Sequence, residues 1–424
     1  MSVSDSVSPR RVRTRTERGV LSRPKSAEDR ARDASTRHRA NPTGRGLRAV
    51  TLEQAAAGGP GGRPGAGPWH YAKHVSAYLD PEADTRVTRR HIRTSQREVL
   101  WRASSLERVR KCGRVPVGEV GDVLLRDKAG VAHYANLATC GSIWACPVCA
   151  AKIRSSRAEE ISDGTARWAQ AGNEVYMLTF TAPHDLGMRL APLVSTVADG
   201  FRSVVSGRAW VKLRDQLGIV GQIRSMEVTH GENGWHPHLH VLVYIEGNLD
   251  ARGLLDFTLH MRDRWRRFIV KAGYRPPSDE HGVVIDRCLS AKEAGLYIAK
   301  TQDGGKSVGN EMARGDMKQG RKGGRTAFEI LDDFRWTGDA GDLRLVHEHE
   351  KATHGRQCIT WSKGLRQLLT GTEEERSDED LAAEEVGGHD IASIPGETWR
   401  AITKIPGLST ALLDELERGG LNAV

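Results

Sequence analysis

The stretch IVGQIRSMEVTHGENGWHPHLHVLVYI, residues 219–245, decides the fold that we predict for this chain. Residues 219–230 and 236–245 both have the apolar, β-branched character and the side-chain period of β-strands. The GENG between them is typical of a turn, so the two strands form a hairpin. A loop of two or four residues would place Glu227 directly opposite His238.

The neighbouring segments complete a predicted sheet. Their patterns indicate strands at 175–182 and 281–288, and helices at 191–217, 250–272 and 290–301. With the hairpin included, the element order is β-α-β-β-α-β-α, which is typical of a split βαβ or ferredoxin-like arrangement. The expected fold class is α+β, with an antiparallel sheet that has its helices on one face.

Three histidines alternate along the second strand of the hairpin, and they share one face because side chains in a strand repeat every two residues. A carboxylate from the first strand lies beside them in the predicted register, and two imidazoles with one carboxylate suit a divalent metal. A bulge in the turn would shift this register. The competing interpretation is a half-exposed strand whose histidines have no ligand. The candidate metal ligands are His238, His240 and Glu227, with His236 as an alternative.

The segment KEAGLYIAKTQ predicts a helix with three reactive side chains on one face. Glu293 and Tyr297 are four residues apart, and Lys300 follows three residues later. A phenol that attacks phosphate needs a nearby cation, and a neighbouring carboxylate can later activate water. A lone helical tyrosine is otherwise a packing residue, so this candidate catalytic set depends on the histidines.

Four of the six cysteines are grouped upstream of the predicted sheet. The CPVC at 146–149 is a metal-binding knuckle, and two further cysteines could complete a four-coordinate structural Zn²⁺ site. A redox-active CxxC pair is the competing interpretation. Cys288 and Cys358 are isolated and are expected to be small buried apolar residues. The candidate zinc ligands are Cys112, Cys140, Cys146 and Cys149.

The net charge of +9 is unevenly distributed. Residues 1–50 contain 13 Lys and Arg against five acidic residues, whereas 373–390 contain nine acidic residues and one Arg. The body between them, 51–372, has a net charge of +10, which favours binding to nucleic acid because Lys and Arg displace counterions from phosphates. The glycine-rich loop 304–325 contains six basic residues. The candidate DNA contacts are Lys306, Arg314, Lys318, Arg321, Lys322 and Arg325.

Composition also predicts how the chain is organised. No stretch approaches the roughly 18 consecutive apolar residues that cross a bilayer, so no membrane partner is expected. The predicted parts are a disordered basic arm at 1–67, a zinc-binding region at 68–170, the core at 171–303, a basic loop with a C-terminal extension at 304–370, an acidic linker at 371–390 and a small helical tail at 391–424.

Between about 112 and 303 the sequence resembles the plasmid rolling-circle replication initiators of the HUH endonuclease superfamily. The matching motifs are LTFTAPH (178–184), HPHLHVLV (236–243), EAGLYIAK (293–300) and the cysteine segment CGSIWACPVCAAKI (140–153). The resemblance implies that His238 and His240 bind Mg²⁺ or Mn²⁺ and that Tyr297 becomes attached to DNA. It also implies that Glu293 activates water to end replication. The tyrosine follows the histidines here, which is the reverse of the order in relaxases.

The function that this resemblance implies is origin-specific nicking and strand transfer on single-stranded or hairpin DNA. The product is a 5′-phosphotyrosine and a free 3′-hydroxyl, which host helicase and polymerase would use in a bacterial cytoplasm. One alternative is a transposase of the same superfamily that makes the same nick. Another is a zinc-containing DNA-binding repressor without catalysis. A metallohydrolase of small substrates is disfavoured, because no aspartate follows the histidines as binuclear sites require.

Overall fold

The structure, a computed structural model, describes residues 85–118, 121–289 and 324–419. None of the helices in these ranges is both long and apolar enough to span a membrane. The described strands are β1 (Val123–Lys128), β2 (Val131–Ala135), β3 (Glu174–Thr181), β4 (Ile219–Gly231), β5 (Gly234–Ile245), β6 (Val283–Leu289), β7 (Arg325–Thr326), β8 (Ile359–Trp361) and β9 (His389–Ile394). The described helices are α1 (Thr85–Ala103), α2 (Glu107–Lys111), α3 (Pro147–Gln170), α4 (Leu190–Val204), α5 (Gly207–Gln216), α6 (Ala251–Lys271), α7 (Ala327–Thr337), α8 (Ala340–Thr353), α9 (Leu365–Thr370), α10 (Asp378–Ala383), α11 (Gly396–Ile402) and α12 (Leu408–Gly419).

A six-stranded antiparallel sheet positions the candidate site. Its strands follow the order β6-β3-β5-β4-β7, and β8 also pairs with β4. Because β5 lies between β3 and β4, the β3-α4-α5-β4 segment forms a split βαβ unit. The prediction of a mixed fold built on an antiparallel sheet is confirmed.

The hairpin of β4 and β5 has the predicted register. Glu227 pairs with His238, and the pairing continues to Gly231 opposite Gly234, which leaves a two-residue turn. Gly234 has a φ of +82°, and a Cβ there would lie 3.2 Å from the carbonyl oxygen of Asp185. Glycine is therefore favoured at this position by both backbone conformation and space. The register shift in this pair of strands lies at the far end, between Ile219 and Gly221.

Helices α4 and α6 cover one face of the sheet. Phe180 of β3 packs edge to face against Phe201 of α4 and Trp265 of α6, with ring centroids 5.4 and 5.1 Å apart. All three side chains are buried, and burying a ring such as Phe180 stabilises the fold by roughly 1.5–3 kcal/mol. This packing fixes β3, which forms one side of the candidate site.

The opposite face is also partly covered, which corrects the prediction that the helices lie on one face only. Tyr244 of β5 points to this face, where its hydroxyl lies 2.7 Å from Oγ1 of Thr165 and its ring contacts Trp168, both on α3. The physical reason is the apolar run 241–245, which alternates between the two faces and is buried on both. Among the described residues, the half of this face that contains the histidines is covered less completely, since the side chains of Glu227, His238 and His240 are 12–15% exposed.

The helix predicted at 191–217 is two helices in the structure. The helical conformation ends at Val204, Ser206 is extended, and α5 begins at Gly207, whose φ is +79°. Since a positive φ is costly for most residues, this glycine permits the break.

The acidic segment 371–390, whose composition predicts a linker, instead contains helix α10. Leu381 and Ala382 of this helix are buried, and the carbonyl oxygen of Ala382 accepts a hydrogen bond from Lys152 of α3. Burial of these two apolar residues and the ion pair of Asp378 with Arg157 of α3 hold the acidic run against this helix. The chain then enters β9, which pairs with β1 in a second antiparallel sheet of order β2-β1-β9.

Candidate metal centre and cysteine cluster

The histidine face of the hairpin brings three ligand atoms together. Nε2 of His238 lies 3.3 Å from Oε2 of Glu227, and Nε2 of His240 lies 3.4 Å from the same oxygen. The two Nε2 atoms are 3.2 Å apart. We call these three residues the metal triad. Their side chains are only 12–15% exposed, so the triangle lies in a shallow recess of the sheet.

The metal triad has the chemistry and the dimensions of a divalent cation site. Metal–ligand bonds of about 2.0–2.2 Å place adjacent ligand atoms about 3.0–3.5 Å apart, which matches the three distances above. Two neutral imidazoles and one carboxylate are suitable ligands for Mn²⁺ and other transition metals. Three protein ligands also leave coordination positions for water or a substrate oxygen.

One neighbouring strand fixes the orientation of His240. Oγ1 of Thr179 on β3 lies 3.1 Å from Nδ1 of His240, so the hydroxyl holds this ring with Nε2 directed at Glu227. Nδ1 of His238 is buried and has no hydrogen-bond partner among the described residues. The two ligand rings are therefore held differently, one by a hydrogen bond and one by packing.

His236, the alternative ligand, lies beside the metal triad and outside its triangle. Its Nδ1 is 3.3 Å from Nε2 of His184, and their ring centroids are 4.6 Å apart. Burial, together with the nearby imidazoles of His238 and His184, lowers the pKa of His236 to about 4. His184 ends the motif LTFTAPH, and the sequence pattern alone predicts no role for it. A useful signal was its position three residues after Thr181, which pairs with His238.

Most of the other candidate residues lie outside the described residues. These are Glu293, Tyr297 and Lys300 of the tyrosine helix, and Lys306, Arg314, Lys318, Arg321 and Lys322 of the basic loop. Arg325 is described, and it forms ion pairs with Asp333 and Asp342 at 2.7 and 2.8 Å. Its charge is therefore already balanced within the fold.

The four predicted cysteines form one buried cluster. Sγ of Cys112 lies 3.7 Å from Sγ of Cys146 and 3.5 Å from Sγ of Cys149, and Cys140 lies 3.7 Å from Cys149. Zinc–sulfur bonds of about 2.3 Å in a tetrahedron place the sulfurs about 3.8 Å apart, so the cluster could hold Zn²⁺. Each of the four side chains is at most 3% exposed.

Local structure explains how distant cysteines meet. Cys146 is the N-cap of α3 and Cys149 lies in its first turn, while Cys112 ends α2. Hydrogen bonds from Cys140 and the other two thiols lower the pKa of Cys112, the residue with the least support from spacing. Cys358 lies outside the cluster, and its thiol donates to the carbonyl oxygen of Met226.

Comparison with known proteins relates the chain to replication proteins. It is 33% identical over 349 residues to "Protein rep" of Streptomyces lividans, covering 67% of this chain and 76% of that protein. It is 30% identical over 297 residues to a "Neomycin resistance protein" of Streptomyces cyanogenus, covering 57% and 66%. A "Protein rep" of Bacillus amyloliquefaciens is 27% identical over 141 residues, covering 32% and 38%.

No model of a protein family and no solved structure matches the chain. The Streptomyces lividans protein is nevertheless similar over most of its own length, and that extent of similarity identifies a family. The chain belongs to the family of plasmid replication initiator (Rep) proteins.

Proposed function

We propose that this Rep protein starts rolling-circle replication as an HUH-type endonuclease that nicks one strand of its plasmid origin. The observation that supports this most directly is the metal triad, two imidazoles and a carboxylate within 3.4 Å of one another in a shallow recess of the sheet. The split βαβ sheet and membership of the Rep family are consistent with it. The substrate is single-stranded or hairpin origin DNA.

Each of the site residues has its own role in one phosphoryl transfer. Glu227, His238 and His240 would hold a divalent cation, which when bound neutralises charge on the attacked phosphate. The phenol oxygen of Tyr297 attacks the phosphorus and loses its proton to solvent. The bond to the 3′ oxygen breaks, and this oxygen takes up a proton and leaves as a free 3′-hydroxyl. Lys300 supplies positive charge beside the phosphate.

The chain is long enough for Tyr297 to reach the metal triad. Val284 of β6 pairs with Thr179, whose hydroxyl contacts His240. Leu289, the end of β6, lies five residues further along the strand, about 17 Å away. The eight residues from Leu289 to Tyr297 rise about 12 Å as the predicted helix and span at most about 28 Å if extended. The length of this connection is therefore compatible with a tyrosine that acts at the histidine face.

The later steps use the same site. A host polymerase, with a helicase to open the duplex, extends the free 3′-hydroxyl. Glu293 then activates water at the regenerated junction, which releases the protein from DNA. The metal is Mn²⁺ or Mg²⁺, and the imidazole ligands favour Mn²⁺. Zn²⁺ at the cysteine cluster has a structural role.

The direct test is nicking of a supercoiled plasmid that contains the origin. With Mn²⁺, the wild-type protein is expected to give open circles, and Glu227→Ala or His238→Ala is expected to lower the nicking rate at least about 10³-fold, because several kcal/mol of charge stabilisation is lost. The matched control is His230→Ala, since this histidine of β4 packs against Trp235 on the opposite face. Triad variants that nick at the wild-type rate contradict the proposal. A wild-type protein that binds but never nicks supports the repressor alternative.

A second prediction concerns the hydroxyl that orients His240. Thr179→Val keeps the size and strand preference of the side chain but removes its contact with Nδ1. The Mn²⁺ concentration that gives half-maximal nicking should rise about 10- to 100-fold, with little change in rate at saturating Mn²⁺. Thr179→Ser keeps the hydroxyl, so its half-maximal Mn²⁺ concentration should return to that of the wild-type protein. An unchanged Mn²⁺ titration of Thr179→Val would show that packing alone orients the ring.

A further inference from the structure

Four basic side chains surround a small pocket away from the metal triad. The pocket has a volume of about 60 Å³ and lies where α1 approaches the turn after Cys112 and the turn between α11 and α12. Both ends of the described chain therefore contribute to it. Its basic residues, which we call the basic surface, are Arg102, Arg114, Arg335 and Lys404.

Most of this positive charge is not balanced within the described structure. Arg335 forms an ion pair with Asp332 at 2.8 Å. Arg102, Arg114 and Lys404 are exposed and form no ion pair with any described carboxylate. The one carboxylate that lines the pocket, Glu98, already accepts hydrogen bonds from the backbone of Gly407 and the hydroxyl of Ser409. Three cations on one surface that no described carboxylate pairs with repel one another, so an anionic ligand would relieve that repulsion.

Arg114 of the basic surface packs over a buried tryptophan, Trp101. The guanidinium of Arg114 lies 6.0 Å from the ring centroid of Trp101, and that of Arg97 lies 5.9 Å from it. The indole nitrogen donates to the carbonyl oxygen of Cys112, which ties the surface to the cysteine cluster. Because Trp101 is only 6% exposed, it offers no ring on which an unpaired base could stack. This chemistry suits a duplex backbone better than a single strand.

Helix α7 begins beside the metal triad and ends at the basic surface. Thr326, its N-cap, pairs with Thr229, which lies opposite His236 beside the triad. Arg335 lies nine residues later, in the last turn of α7, and nine residues of helix rise about 14 Å. Because double-stranded DNA rises 3.4 Å per base pair along its axis, this separation corresponds to roughly four base pairs.

We propose that the basic surface binds the phosphate backbone of double-stranded DNA a few base pairs from the nicked bond. The position of this duplex beside a nick rests on the proposed function. The binding of a duplex to the basic surface does not depend on it. Arg102, Arg114 and Lys404 each contact a phosphate oxygen. These contacts position the enzyme on the duplex without reading its sequence.

The test compares two triple variants of the full-length protein with equal loss of charge. Arg102→Gln/Arg114→Gln/Lys404→Gln should weaken binding to a duplex about 10- to 100-fold near 0.1 M salt, and should reduce the slope of log affinity against log salt by about 3. The control is Arg208→Gln/Lys212→Gln/Lys271→Gln, which removes three exposed cations of α5 and α6. In this control variant, the loss of duplex affinity and the change in the salt slope should each be at most about a third of those in the basic-surface variant.

Nicking of a short single-stranded origin oligonucleotide is measured in parallel. The basic-surface variant should nick it within about twofold of the wild-type rate, because the metal triad is untouched. Equal losses of duplex affinity in the two triple variants would overturn the proposal, as would an equal loss of affinity for single-stranded DNA. If the wild-type protein does not nick at all, the proposed function fails while the duplex-binding result still decides this inference.

Discussion

Tyr297→Phe is expected to abolish covalent attachment of the protein to origin DNA while leaving its non-covalent affinity near that of the wild type. Phenylalanine keeps the ring and its packing but removes the oxygen that would attack phosphorus. The measurement is a denaturing gel of protein incubated with a labelled origin oligonucleotide and Mn²⁺. The wild-type protein should give a shifted band, and the variant should give none.

The matched controls are tyrosines whose hydroxyls already have partners. Tyr274 accepts a hydrogen bond from Thr196, and Tyr244 is completely buried beside Thr165. Tyr274→Phe should therefore form the adduct as the wild type does. An adduct that persists in Tyr297→Phe would contradict the assignment, and its loss in Tyr274→Phe would identify the nucleophile instead.

The hairpin and the metal triad could be predicted because both depend on local pattern. A period of two fixes which side chains share a face, and a tight turn with an even number of residues keeps Glu227 opposite His238. The observed two-residue turn is one of the two lengths that give this register. The sequence spacing also identified the CPVC knuckle, because both of its cysteines lie at the start of helix α3.

Contacts between distant parts of the chain could not be predicted in this way. β9 pairs with β1 although roughly 265 residues separate them, and no periodicity in either segment indicates its partner. The charge of a side chain likewise does not indicate which residue or ligand it contacts. Arg325 was grouped with five other basic residues as a DNA contact, yet Asp333 and Asp342 pair with it. His184 was missed because its approach to His236 depends on how the strand β3 ends.

Cys146→Ser is expected to have the largest effect on stability. Its thiol is completely buried, and the residue caps α3, the helix that reaches the sheet through Thr165 and Tyr244. Structural zinc contributes about 10–16 kcal/mol in small zinc domains, whereas a whole domain is stable by only about 5–15 kcal/mol. The variant should therefore lose zinc and aggregate or melt at a much lower temperature. Elemental analysis and thermal circular dichroism measure both effects.

The control for this change is Cys358→Ser, which alters a thiol of similar burial outside the cluster. Cys358 is 3% exposed, and its thiol donates a hydrogen bond to the carbonyl oxygen of Met226. A serine hydroxyl can keep that contact, so the cost should be about 1 kcal/mol, with full zinc content. If Cys146→Ser behaved like Cys358→Ser, or if well-folded wild-type protein contained no zinc, the four thiols would be a packed core and not a metal site. A cluster that only packs loses little when one sulfur becomes oxygen, whereas a tetrahedral zinc site loses one of its four ligands and with it the energy that holds α2 against α3.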